Sequence, residues 1–143
     1  MRKIKLSKDL KEIKKRIDKI KKFGHGKSGM CIEVDYFKSS FWLRDDDGIP
    51  FQPFVIMFIH KESCFMLKTH MVIPNDKFRI EFFEQLLDVL ENNQFLIGKI
   101  KVKKQDLFDL FEKTATDLGI RVELSKRLTG IEFAKRDFNQ FFK

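Results

Sequence analysis

Tyrosine and tryptophan occur once each, at Tyr36 and Trp42, against seventeen phenylalanines. A core filled mainly by Phe needs no hydrogen-bond partners for its rings, which Tyr or Trp would require when buried. Cysteine is nearly absent. Cys31 and Cys64 alone cannot supply a disulfide scaffold, and the scarcity points to a reducing, cytoplasmic setting. No apolar run approaches the roughly 20 residues that cross a bilayer, and the N-terminus lacks a secretory apolar core, so no membrane partner is expected. With three Pro and seven Gly in 143 residues, there is no low-complexity tract or long linker. One domain of this length can bury a real core.

Beyond its first 28 residues the chain also lacks net charge. Residues 1–28 hold 12 of the 29 basic and 3 of the 21 acidic side chains, so the formal charge of +8 belongs to this end. Within it Leu6, Leu10, Ile13, Ile17, Ile20 and Phe23 recur at spacings of three and four, which predicts an amphipathic helix over 7–23. Its polar face carries Lys8, Lys11, Lys14, Lys15, Lys19 and Lys22. Such a face is either the solvated side of a docked helix or a contact for phosphates or an acidic protein surface. Gly24 to Gly29 reads as a flexible connector, because the residue order and missing Gly do not make a phosphate-binding loop. The division expected is therefore 1–28, a basic helix and connector, and 29–143, a single α+β domain.

The stretch that organises the body is Pro53 to Ile73. Phe54 to Ile59 is an apolar run too short for a buried helix, and Cys64 to Val72 returns from a turn at Glu62-Ser63, giving an antiparallel hairpin. That turn puts Phe54 opposite Met71 and Ile56 opposite Thr69, with one face in the core and the other only partly covered. Before it, Met30 to Phe37 alternates as a strand, and Phe41-Trp42-Leu43 reads as a short second one. After it, Pro74-Asn75-Asp76 starts a helix that Asn92-Asn93 stops. Ile97 to Lys103 forms a strand with Lys99, Lys101 and Lys103 facing outward, extending the basic surface. Asp106 is read as the cap of the next helix, Ile120 to Leu124 as the last strand, and Thr129 with Glu132 as a capping box for the last helix. The fold class is α+β: a mixed sheet with an antiparallel N-terminal part followed by β-α-β-α units, preceded by the basic amphipathic helix.

Three consecutive carboxylates, Asp45-Asp46-Asp47, can gather a hard cation, but Asp before Gly48 is also what a solvated turn looks like. His60 and His70 fall on opposite faces of the expected hairpin, and Cys64 points away from His60, so no metal cluster results. No nucleophile arrangement and no cofactor are implied.

From Trp42-x-x-Asp45 through the hairpin to Leu118-Gly119-Ile120, residues 40–143 resemble the ribonuclease H-like superfamily, in particular integrase and transposase cores. Gly48-Ile49-Pro50 before the hairpin is similar to an uncharacterised bacterial or phage family. The resemblance implies metal-dependent phosphodiester chemistry, with carboxylates at the ends of adjacent strands and on a later helix. Asp45 would be the first and Glu132 the helical acid. The second position carries Lys103-Lys104, and Asp106 is the nearest carboxylate. The expectation is a degenerate, non-catalytic version: a nucleic-acid-associated binding protein using the Lys-rich helix. A mobile-element or phage-encoded module that binds and regulates or inhibits a protein partner is the alternative, and a metal-dependent nuclease a second one.

Overall fold

A computed structural model describes residues 2–141 apart from 28, 76 and 93–95, with side chains described within 11–140. Its elements are α1 (Arg2–Lys21), β1 (Cys31–Lys38), β2 (Leu43–Arg44), β3 (Pro50–Phe51), β4 (Phe54–His60), β5 (Met66–Val72), α2 (Phe78–Asn92), β6 (Lys99–Val102), α3 (Gln105–Asp117), β7 (Arg121–Leu124) and α4 (Thr129–Phe141). Five strands form one sheet in the order β5-β4-β1-β6-β7, while β2 and β3 pair separately. β4 is antiparallel to both β1 and β5, and β1-β6 and β6-β7 are parallel. This is the expected mixed α+β architecture.

Alternation along β1 divides the molecule. Ile32, Val34 and Tyr36 face a core made with α1, α2 and α3, where Ile20, Phe58, Phe82 and Phe111 are wholly buried. Phe82 meets the rings of Phe58, Phe78 and Phe111 near edge-to-face, at 5.9, 5.8 and 5.4 Å. That geometry sets positive ring edges against negative faces. On the other side Phe37, Val55, Met57 and Ile59 pack under Leu128, Ile131 and Ala134. Both faces of β4 are thus sealed, so its pattern reads as a continuous apolar run rather than an alternation. The expectation of a partly covered face fails because α4 lies over it.

Beside the turn the hairpin keeps the expected register, Ile59 with Met66, but beyond a bulge it differs by one residue. Phe54 pairs with Val72 and Ile56 with His70, and a bulge follows Phe58. The turn is wider than Glu62-Ser63: it includes Lys61, and Cys64 takes a left-handed backbone (φ 57°). Because Ile56 and His60 share a strand parity, His60 and His70 lie on the same sheet side, not opposite ones. Phe41 and Trp42 stay outside any strand, and the following strand residues pair away from the main sheet.

The connector after α1 is clamped, not loose. His25 is buried, its Nε2 donates to the Leu90 carbonyl at 2.7 Å, and its Nδ1 accepts the Ile97 N–H at 3.0 Å. The two bonds fix the neutral tautomer protonated at Nε2. Gly26 lies so close to Gly119 that a Cβ there would sit 2.1 Å from the Gly119 carbonyl oxygen. Asp76 and Asn93, expected at the ends of α2, lie outside the described residues.

Candidate functional site

Two surfaces carry the candidate residues, on opposite sides of the sheet. The first is α1. Ile13 and Ile17 pack against the main core, and Ile20 is part of it. Arg16 turns inward to pair with Asp88 (2.6 Å) and Glu91 (2.7 Å) of α2, and Lys68 of β5 completes the network on Asp88 (3.0 Å). Burial pushes the Asp88 carboxyl up, but the bonds from Lys68 and Arg16 outweigh it and hold it below the usual carboxylate value. Lys11, Lys14, Lys15, Lys19, Lys21 and Lys22 remain exposed. Leu6, Lys8 and Leu10 lie outside the described side chains. The helix starts earlier than expected, at Arg2, so the N-terminal boundary at residue 7 is corrected.

The second surface is the opposite sheet side. Lys99 and Lys101 pair with Cys31 and Glu33 of β1 and so share their face, not the α1 side. They do not extend the α1 surface; they form another one. Lys99 is held by Glu123 at 3.0 Å. Lys103 lies past the end of β6 and is exposed.

At the C-terminal ends of the parallel strands β1 and β6 the residues converge differently from expectation. Asp45 is not there. It belongs to the β2-β3 turn, where its Oδ1 accepts the Asp47 and Ile49 N–H groups at 2.9 and 2.8 Å, the ordinary work of a turn aspartate. The strand next to β6 is β1, whose acids are Glu33 and Asp35. Lys104 Nζ donates to Asp35 Oδ1 at 2.5 Å and to the Tyr36 carbonyl at 2.6 Å, and lies 4.3 Å from the Tyr36 ring centroid. An ammonium stands where metal chemistry would need a carboxylate.

The remaining acids are also engaged. Glu33 is buried, and its Oε1 accepts the Ile131 N–H at 3.0 Å, so a strand carboxylate caps α4. The expected capping box is absent, because Glu132 pairs instead with Arg127 at 2.8 Å. Asp106 does not cap α3, whose N-cap is Lys104 without a side-chain bond. Its Oδ2 accepts the Tyr36 hydroxyl at 2.7 Å. Burial, then this bond to Asp106, pushes the Tyr36 hydroxyl up to about 12. Among the described residues no group of three His, Cys, Asp or Glu could hold a metal ion. The two metals implied by the resemblance therefore do not fit these side chains.

Sequence reasoning missed Glu33 and Asp35. The signal was available: two acids on an otherwise apolar strand mark a buried face that needs partners. It also missed an apolar groove between β5 and α4, lined by Cys64, Met66, Thr69, Phe133, Ala134, Asp137 and Phe138. Phe133, which lines it, exposes 56% of its surface. Among the described residues no helix is long and apolar enough to cross a membrane.

Comparison with known proteins supports the fold reading. The chain superposes on the catalytic core domain of BIV integrase with a TM-score of 0.58 at 11% identity, covering 79% of this chain and 68% of that one. The likeness shows a ribonuclease H-like fold. No curated protein matches. A family model described as "Domain of unknown function (DUF6930)" matches residues 16–139, and the chain belongs to that family.

Proposed function

We propose that this domain is a non-catalytic, cytoplasmic nucleic-acid-associated protein whose contact surface is the lysine face of α1. One observation carries the reading. The helix is docked by Ile13, Ile17 and Ile20 and locked by Arg16, yet five lysines of its described part, and Lys22 just past its end, are exposed. Charge held in a rigid row suits phosphates, whose neutralisation releases counterions. Replacing Lys11, Lys15, Lys19 and Lys22 by Glu brings the formal charge from +8 to about zero. The fold should survive, since exposed charges contribute about 0–1 kcal/mol each. Affinity for single- or double-stranded oligonucleotides, followed by fluorescence anisotropy, should collapse. The parent should show a log-log salt slope of roughly −0.7 to −0.9 per phosphate neutralised. Binding unchanged by the reversals sinks this reading.

The non-catalytic part rests on Lys104 holding Asp35 and on the engagement of Glu33, Asp106 and Glu132 elsewhere. No Mg²⁺- or Mn²⁺-dependent cleavage of DNA or RNA is expected. Cleavage that disappears in Asp35→Asn overturns this.

The β5-α4 groove favours a second reading, a mobile-element or phage-encoded module that binds and regulates a protein partner. A partner lost on Phe133→Asp but kept on the α1 reversals would select it.

A further inference from the structure

The ribbon β2-β3 stands outside the main sheet, its strands pairing only with each other among the described residues. Its base is fixed. The Ser39 N–H donates to the Pro53 carbonyl at 2.9 Å, and the Phe41 ring lies 6.1 Å from that of Phe138 on α4. Beyond that base the ribbon carries apolar side chains into water. Leu43 pairs across it with Phe51. The Ile49 carbonyl accepts the Asp45 N–H at 3.0 Å, which continues the pairing and sets Ile49 on the face of Phe51. Trp42, Leu43 and Ile49 expose 63%, 40% and 58% of their surface. A two-stranded ribbon is marginal in water unless an apolar face is packed. Exposed apolar residues rimmed by polar ones mark an interaction surface, and tryptophan is enriched among the anchors of such surfaces.

Charge selects what covers it. Residues 43–51 hold three Asp and one Arg. Asp45 is engaged by the turn, and Arg44 donates to the Gly48 carbonyl at 2.9 Å, while Asp46 and Asp47 are exposed at the tip. An acidic tip repels nucleic acid and fits a basic surface. The chain itself supplies one at the C-terminal end of α1. There Lys19 and Lys22 are exposed beside Phe23, which is 41% exposed and set edge-on to His25 at 6.0 Å. Lys19 and Phe23 are four residues apart and so neighbours on one helix face. Each surface joins an aromatic ring to charge, and the charges are opposite. The ribbon is based at α4, whereas α1 packs on the other side of the sheet, so the two surfaces meet between copies. At physiological ionic strength charges farther apart than about 8 Å are screened, so the net charge of +8 on each copy opposes the approach less than the contact pairs favour it.

We propose that the β2-β3 ribbon of one copy docks on the C-terminal end of α1 of a second copy, Trp42 and Ile49 against Phe23, and Asp46 and Asp47 against Lys19 and Lys22. The two patches differ and lie on opposite sides, so the contact is head-to-tail. Each end of a pair then keeps a free ribbon or a free α1, and association grows with concentration instead of stopping at a two-fold dimer. The contact does not rest on the function proposed for α1, although an oligonucleotide held there competes with the ribbon for the same lysines.

The test is sedimentation of the nuclease-treated full chain over a concentration series, with the emission of Trp42, the single tryptophan, read in parallel. Masses that pass the dimer as concentration rises, with a blue shift of the emission, are expected, and added salt should reverse both. Two double variants split the contact. Trp42→Ser with Ile49→Ser removes the ribbon surface, and Lys19→Glu with Lys22→Glu removes the α1 surface. Each alone should weaken association by about tenfold or more. Mixed, they should form a one-to-one complex and grow no further, because each retains one intact half. Trp42 then reports from the α1 variant alone, and its emission should shift only when the ribbon variant is added. Asp46→Lys with Asp47→Lys leaves the apolar ribbon in place and should behave as the ribbon variant does. Unchanged thermal unfolding of the variants excludes misfolding as the cause. A parent that stays monomeric or stops at a dimer, association that survives either double variant, or variants that fail to combine overturn the contact. Short oligothymidylate should dissolve the assembly. If it neither binds nor dissolves an assembly that the variants do disrupt, only the function proposed for α1 falls.

Discussion

The two sides of the central sheet are built on opposite principles. On one, α1, α2 and α3 close over interlocking rings; His25 and Tyr36 enter it and each find a partner, while the Gln85 Oε1 of α2 is buried without one among the described residues. On the other, α4 alone covers β4 and part of β1, while Lys99, Lys101, Arg121 and Glu123 of β6 and β7 lie beside it without a covering helix. The first side stores stability and the second presents chemistry. Both come from the same strands, because alternate residues of β1 and β6 must face opposite ways. Apolar residues at one parity and charged ones at the other therefore make a sealed layer and an open one in a single stroke.

The largest effect that would sharpen this contrast is a cavity in the sealed layer. Phe82→Ala removes a ring that touches Phe58, Phe78 and Phe111, and should cost about 3–5 kcal/mol in denaturant unfolding. Phe133→Ala, 56% exposed on the open layer, should stay within about 0.5 kcal/mol of the parent. Comparable losses from both would mean that the open layer is covered in solution and the contrast is misdrawn.

A smaller loss tests Glu33, a buried carboxyl side chain among the described residues of the open layer. Glu33→Ala deletes the acceptor for Ile131 N–H and leaves the first turn of α4 uncapped in a buried setting. Losing that acceptor should cost about 1–3 kcal/mol. Glu33→Gln keeps an acceptor oxygen but not the charge, and should recover part of the loss. Equal stability of parent, Gln and Ala forms would show that Glu33 does not hold α4.

How much of this was written in the chain follows from the same physics. The amphipathic stripe of α1, the Phe58-Phe82 core and the parity of Ile100 and Val102 against Lys99 and Lys101 are local periodicities, and they were legible. The hairpin register away from the turn was not, because a bulge beyond Phe58 inserts one residue and leaves no periodic mark in the sequence. Nor was the capping of α4 by Glu33, 98 residues before Ile131, since local spacing offers Glu132 as the nearer candidate. Lys104 was legible as a lysine in place of a carboxylate. That it grips Asp35, and that Asp45 lies off the sheet, required knowing which strand neighbours β6. Pairing between distant strands leaves no mark on either one alone.

The smallest effect belongs to the sealed layer and concerns its single buried imidazole. Desolvation lowers the His25 pKa below the usual 6.5, only partly offset by the bond to the Leu90 carbonyl. The folded chain therefore holds His25 neutral more strongly than the unfolded chain does. Its contribution to stability is intact above about pH 6.5 and is lost as pH falls from there toward the depressed folded value, the range in which the unfolded chain binds a proton that the folded chain does not. Protonation would place a hydrogen on Nδ1, facing the Ile97 N–H, and remove the acceptor that ties the end of α2 to β6. Between pH 7 and 5, before carboxylates such as Asp88 with its lowered pKa titrate, the parent should lose stability more steeply than His25→Gln. Over the same range the Ile97 amide should exchange faster. The comparison is between slopes, so a lower absolute stability of His25→Gln does not confuse it. Parallel slopes, with Ile97 exchange insensitive to pH beyond the intrinsic chemical rate, would show that the clamp does not titrate.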